Sequence, residues 1–194
     1  MSERIDDLLA RIDQLERDLE TELAQRAAGL RFRLEQGRAV FEEEVRRRHK
    51  ELRTHVLRYI VGARPLVILS APVIYSLIVP FALLDLFVTV YQAICFPIYR
   101  IEKVDRSKYL VFDRHMLAYL NAVEKFNCLY CSYCNGIVAY VREVAGRTER
   151  HWCPIKHARR VMGAHPYYAR FAEYGDGDAW PPPRAQQHGG ADEH

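Results

Sequence analysis

Residues 66–99 read LVILSAPVIYSLIVPFALLDLFVTVYQAICFPIY, 34 residues that carry a single charge, at Asp85. A straight helix of that length measures roughly 50 Å, against about 30 Å of hydrocarbon in a bilayer. The block is therefore too long for one upright span and too apolar for a solvated surface. Pro80 sits near its middle and lacks a backbone donor, which makes it the expected place for a kink or reversal. A break there leaves arms of 14 and 19 residues, the first reaching only about 21 Å. A helical hairpin or re-entrant segment is expected, with a single tilted span as the other arrangement.

Charge on the flanks orients this block, because Lys and Arg gather on the cytoplasmic side of membrane segments. Arg46, Arg47, Arg48, Arg58 and Arg64 precede it, and Arg100, Lys103, Arg106 and Lys108 follow. Both flanks thus read as cytoplasmic, and the named arginines up to Arg100 read as contacts for anionic lipid headgroups. Interleaved aromatics suited to base stacking are lacking there, and the net charge is only +3, so no specific nucleic acid is expected. The first 22 residues are strongly charged and do not resemble a secretory signal, which places the N-terminus in the cytosol. Asp85 itself reads as a group lifted towards water by the turn after Pro80; the sharper alternative is a proton or cation site at membrane depth.

The remaining chain reads as further modules in series: a charged helical arm over 1–60, a Cys/His module over 100–174 and a polar tail over 175–194, around the membrane segment at 65–99. In the arm, Ile5, Leu8, Ile12, Leu15 and Leu19 alternate in steps of three and four, the seam of a coiled coil. Leu23, Leu30 and Leu34 carry a shifted stripe, and Gly29 and Gly37 predict a break between them. Phe41, Val45, Leu52 and Val56 then resume helical spacing. Self-association, or a protein partner bound along the seam, is the expected use of the arm. The tail is too rich in Pro, Gly and charge to bury a core, and disorder is expected there.

Apolar spacing predicts helices over 112–126 and 135–150, with cysteines on either side of the second. Cys128, Cys131 and Cys134 precede it; Cys153 and His157 follow. A Cys-x2-Cys pair, a gap and a Cys-x3-His pair is ligand spacing for tetrahedral zinc, since each short pair aims two donors at one point. Cys131, Cys153 and His157 are common to every such set, and the fourth ligand is Cys128 or Cys134. Gly136 would serve a tight knuckle beyond Cys134. An iron–sulfur cluster on the four cysteines is the second cofactor alternative, although 18 residues separate Cys134 from Cys153, unlike the short ferredoxin run. No catalytic residue stands out: the histidines near the cysteines lack an ordered third group, and Gly-rich phosphate loops and Gly-x-Ser-x-Gly are missing.

The stretch CLYCSYCNGIVAYVREVAGRTERHWCPIKHARR, following a Pro-broken apolar block, resembles a family of bacterial membrane-associated proteins. The likeness covers about residues 30–175 and implies a bacterial inner (cytoplasmic) membrane setting; it brings no activity, cofactor or catalytic residue with it. The sequence therefore predicts a mainly α protein: a membrane-anchored scaffold or partner-binding protein with a zinc-type site on the cytoplasmic face. The alternative is a membrane-associated enzyme or iron–sulfur redox protein with the cysteines as its reactive centre.

Overall fold

The structure is a computed structural model and describes residues 3–28, 32–35 and 38–179. It is mainly helical, as expected. The chain divides into two compact units, Met1–Ile68 with Asp113–Leu129, and Leu69–Phe112 with Tyr130–His194.

The first unit opens with α1, Glu3–Ala28, a single amphipathic helix over the expected seam. A two-stranded antiparallel ribbon follows, β1 (Phe32–Glu35) against β2 (Arg38–Phe41), with Phe32 opposite Phe41. The helix expected to resume at Phe41 instead begins after this ribbon, as α2 (Glu43–Glu51) and the short α3 (Val56–Val61). Glu43 and Glu44 at the start of α2 and Arg48, His49 and Lys50 at its end complement the helix dipole. Gly29 and Gly37, and the whole tail beyond Ala179, lie outside the described residues.

The apolar block forms α4 (Pro65–Ser76) and α5 (Ile78–Ile98), together one 34-residue helix long and apolar enough to cross a membrane. The chain does not reverse at Pro80. The interruption falls at Ser76–Leu77, and Leu77 keeps right-handed helical angles (φ −64°, ψ −14°), so the helix continues. The position follows from proline geometry: the ring of Pro80 excludes the Ser76 carbonyl four residues back, and its missing N–H falls in the first turn of α5, where no intrahelical acceptor is needed. Loosened carbonyls at the joint find other donors. Ile74 O accepts from Leu77 N–H at 3.2 Å and from the Tyr130 hydroxyl at 2.7 Å.

At its far end α5 closes in a Schellman arrangement, Ile101 N–H to Phe96 O (2.8 Å) and Arg100 N–H to Pro97 O (3.3 Å). That motif puts the residue after the cap in the left-handed region, where glycine is favoured; here it is Arg100, at φ 56°. After two short 3-10 turns the last long helix, α6, runs unbroken over Ala122–Trp152. Its start is a reciprocal cap: Asn121 Oδ1 accepts from Glu124 N–H (3.0 Å) and Glu124 accepts from Asn121 N–H (2.8 Å). Its end is dictated by Pro154, which disfavours helical geometry in the residue before it. The helices expected over 112–126 and 135–150 are thus one helix, begun ten residues late and continuous through the cysteines.

In the second unit α5 and α6 pack in parallel, since partners rise together along both helices: Asp85 with Tyr133, Gln92 with Tyr140, Tyr91 with Thr148. A parallel pair needs a crossover, and residues 101–112 supply it by running back between the helices. Phe96, Val104, Leu110, Ile137, Tyr140 and Val144 form the core. Gly136 is what lets the crossover in: a Cβ there would lie 2.7 Å from Tyr109 O and 3.2 Å from Leu110 Cγ. It is a contact glycine within α6 and not part of a metal knuckle.

Candidate functional site: a polar brace on an apolar helix

The distribution of side chains around α5 is inverted relative to a soluble amphipathic helix. Leu83, Leu86, Phe87, Val90 and Ile94 are exposed, while Asp85, Thr89 and Gln92 turn inward beside Val88 and Phe96. The three polar residues follow steps of four and three, which places them on one helical face. Each finds its partner within the second unit.

Asp85, whose side chain is 13% exposed, is gripped by Arg106 from the crossover: Nε lies 2.9 Å from Oδ1 and an Nη 2.6 Å from Oδ2. Tyr133 donates to Oδ2 at 3.1 Å and Thr89 to Oδ1 at 3.3 Å. Burial, and then the bond to Asp85, push the Tyr133 phenol above its ordinary value, so it remains a donor. The expectation that Asp85 is lifted towards water by a turn is therefore replaced by a carboxylate held in the fold with an arginine mate. Arg106 had read as one more flanking cation.

About two turns beyond Asp85, the Gln92 amide acts as a surrogate backbone. Its Nε2 donates to Val104 O (3.1 Å) and to the Tyr140 hydroxyl (2.7 Å), and its Oε1 accepts from Val104 N–H (2.9 Å). A non-helical segment buried against helices must have its amide groups paired, and Gln92 pairs both groups of Val104. Sequence reading missed Arg106, Gln92, Thr89, Tyr133 and Tyr140 as a set. The available signal was the spacing of Asp85, Thr89 and Gln92 within an otherwise apolar block.

At the C-terminal end of α6, the following segment folds back over the helix. Ala172 N–H donates to Pro154 O (2.9 Å) and Lys156 N–H to Ala172 O (2.8 Å), with Phe171 buried. His165 rests over Gly146, where a Cβ would come within 2.9 Å of its ring, and its Nε2 lies 2.7 Å from Glu149. Tyr167 donates to Glu143 at 2.5 Å, Arg147 pairs with the same oxygen at 2.8 Å, and the Arg150 guanidinium sits 4.6 Å above the Tyr167 ring. Burial pushes the Glu143 carboxyl up, but the bonds from Tyr167 and Arg147 outweigh it and hold the group below its ordinary value. Beside this clamp lies an apolar cleft of about 490 Å³ between Val88 and Tyr91 of α5 and Val144, Thr148 and Trp152 of α6.

The cysteines do not converge. Cys128, Cys131 and Cys134 lie on successive turns of α6, and from Cys131 to Trp152 a continuous helix climbs about 30 Å. Cys131 points outward, Cys134 is buried and Cys153 is exposed past the helix end. Burial also pushes the Cys134 thiol up, away from a reactive thiolate. His157 is engaged elsewhere, its N–H donating to the Tyr168 hydroxyl (2.6 Å) and its ring stacked on Tyr168. Among the described residues no three His, Cys, Asp or Glu side chains come together to hold a metal. The spacing argument assumed a turn between the pairs, and an unbroken helix removes it. Of the expected headgroup contacts, Arg46, Arg47 and Arg48 are exposed on α2, Arg58 on α3, and Arg64 and Arg100 at the two ends of the apolar helix.

Protein-family models, curated proteins and solved structures give no match to this chain.

Proposed function

We propose that this protein is a membrane-anchored scaffold of the bacterial inner membrane, with its N-terminal arm on the cytoplasmic face and no reaction of its own. The observation that carries the reading is the inverted α5. A helix that points Leu83, Leu86, Phe87 and Val90 outward and pairs Asp85, Thr89 and Gln92 inward is matched to an apolar surrounding. In this reading the brace of the C-terminal module is the hydrogen-bonded network, not a zinc or iron–sulfur site. Arg100 supports the same setting: a non-glycine residue in the left-handed region costs about 1–2 kcal/mol, and a cation at a bilayer surface recovers about 1 kcal/mol from anionic headgroups.

The test is flotation of the full chain with phosphatidylcholine–phosphatidylglycerol vesicles, followed by alkaline carbonate extraction. The chain is expected to float and resist extraction, and a variant with Leu83, Leu86, Phe87 and Val90 changed to Asn is expected to lose both properties. A wild-type chain that stays monodisperse in buffer without detergent and does not float would overturn the anchor.

A further inference from the structure

Among the described residues the apolar stripe of α1 finds no cover. Leu8, Ile12, Leu15, Leu19 and Leu23 are 50 to 67% exposed along a helix of 26 residues. We infer that α1 pairs with α1 of a second copy as a parallel, in-register two-stranded coiled coil. This names the partner of the scaffold proposed above and rests on that reading for the alignment of two arms leaving one membrane face.

The residue types choose both number and direction. With Ile5 at the first core position of the heptad, Ile12 and Leu19 share that position and Leu8 and Leu15 occupy the second. A β-branched residue at the first core position with Leu at the second favours two parallel strands. The flanking charges agree. Arg11 precedes the core residue Ile12 and Glu16 follows the core residue Leu15, so in a parallel pair Arg11 of each copy faces Glu16 of the other. In an antiparallel pair Arg11 and Glu16 would lie on opposite edges of the seam and could not face each other. Within one chain Arg11 pairs with Asp7 at 3.2 Å, an exposed pair that offers little competition.

The seam ends where Glu22 takes the next core position, leaving about two and a half heptads. That is short for free helices. Anchoring both copies in one membrane confines their arms to one surface layer and raises the effective concentration of each arm.

The experiment places the photo-crosslinker benzoylphenylalanine in the full chain, in phosphatidylcholine–phosphatidylglycerol vesicles, at position 15 in the seam or position 13 outside it. A covalent dimer several-fold stronger from position 15 is expected; equal yields, or none from either, overturn the pairing. R11E and E16R should each lower the yield and the double variant R11E/E16R should restore it, whereas a double variant no better than the singles overturns the parallel register. The crosslink repeated in detergent micelles separates the two readings: dimer without vesicle flotation removes the anchor and keeps the coiled coil, and flotation without dimer does the reverse.

Discussion

Arg106 holds both carboxylate oxygens of Asp85, at 2.9 and 2.6 Å, from a segment 21 residues further along the chain. Removing one member of such a pair strands the other, which costs about 3–5 kcal/mol when both are buried. Arg106 is 42% exposed, so solvent screens part of that cost. Asp85→Ala is expected to destabilise the second unit by about 2 kcal/mol. The double variant Asp85→Ala/Arg106→Ala should cost less than the sum of the two single changes. Additive losses in a denaturation cycle would show that the pair is incidental.

Gln92 carries a sharper dependence because it satisfies both backbone groups of Val104. Gln92→Leu keeps the volume and strands a buried N–H and C=O, at about 1–3 kcal/mol for each unsatisfied group. The Val104 amide should then lose hydrogen-exchange protection by more than tenfold, while amides near the Asn121 cap keep theirs. Unchanged protection at Val104 would mean that its N–H finds another acceptor.

How much of this was legible in the sequence can be judged from particular residues. The apolar block, the helix α1 and the mainly helical character were readable because each is a pattern along the chain. The partners of Asp85 were not, since Arg106 and Tyr133 reach it only through the crossover and the parallel packing of α6, which leave no local mark. The start of α6 was within reach: Asn121 and Glu124 have the spacing of a reciprocal cap. Reading that cap would have begun the helix at Ala122 and carried it through Cys128, Cys131 and Cys134. Pro80 was read correctly as a perturbation and wrongly as a reversal, because a proline in the first turn of a helix costs nothing that a slight interruption upstream cannot absorb.

The continuous α6 makes a definite statement about the cysteines. With Cys131 and Cys153 on opposite ends of more than five helical turns, Cys153→Ser and His157→Ala should leave thermal stability within about 0.5 kcal/mol of wild type, as for surface changes. Elemental analysis of anaerobically purified protein should show no stoichiometric zinc or iron. One zinc per chain, lost in both variants, would contradict the helix through the cysteines.

Gly136→Ala is expected to cost about 1–3 kcal/mol, the range for overpacking a close contact, because the new Cβ meets the Tyr109 carbonyl at 2.7 Å and a backbone atom cannot swing aside. Gly177→Ala, with open space around it, is the matched control. Equal melting temperatures for the two variants would place the crossover further from α6 than the structure has it.

The clamp at the end of α6 has a pH dependence whose sign is fixed by Glu143. Its carboxyl is held below the ordinary value of 4.5, with bonds from Tyr167 and Arg147 overcoming burial. A carboxyl that binds its proton less readily when folded contributes stability that is full above its unfolded value and is lost as pH falls through the folded one. Docking of the returning segment should therefore be constant from neutral pH down to about 5 and weaken below 4.5, read as rising exchange of the Ala172 amide that bonds Pro154 O. Glu143→Gln cannot ionise, so it should weaken docking at neutral pH and flatten this acid limb. If the limb survives in Glu143→Gln, the Glu143 carboxyl is not its source.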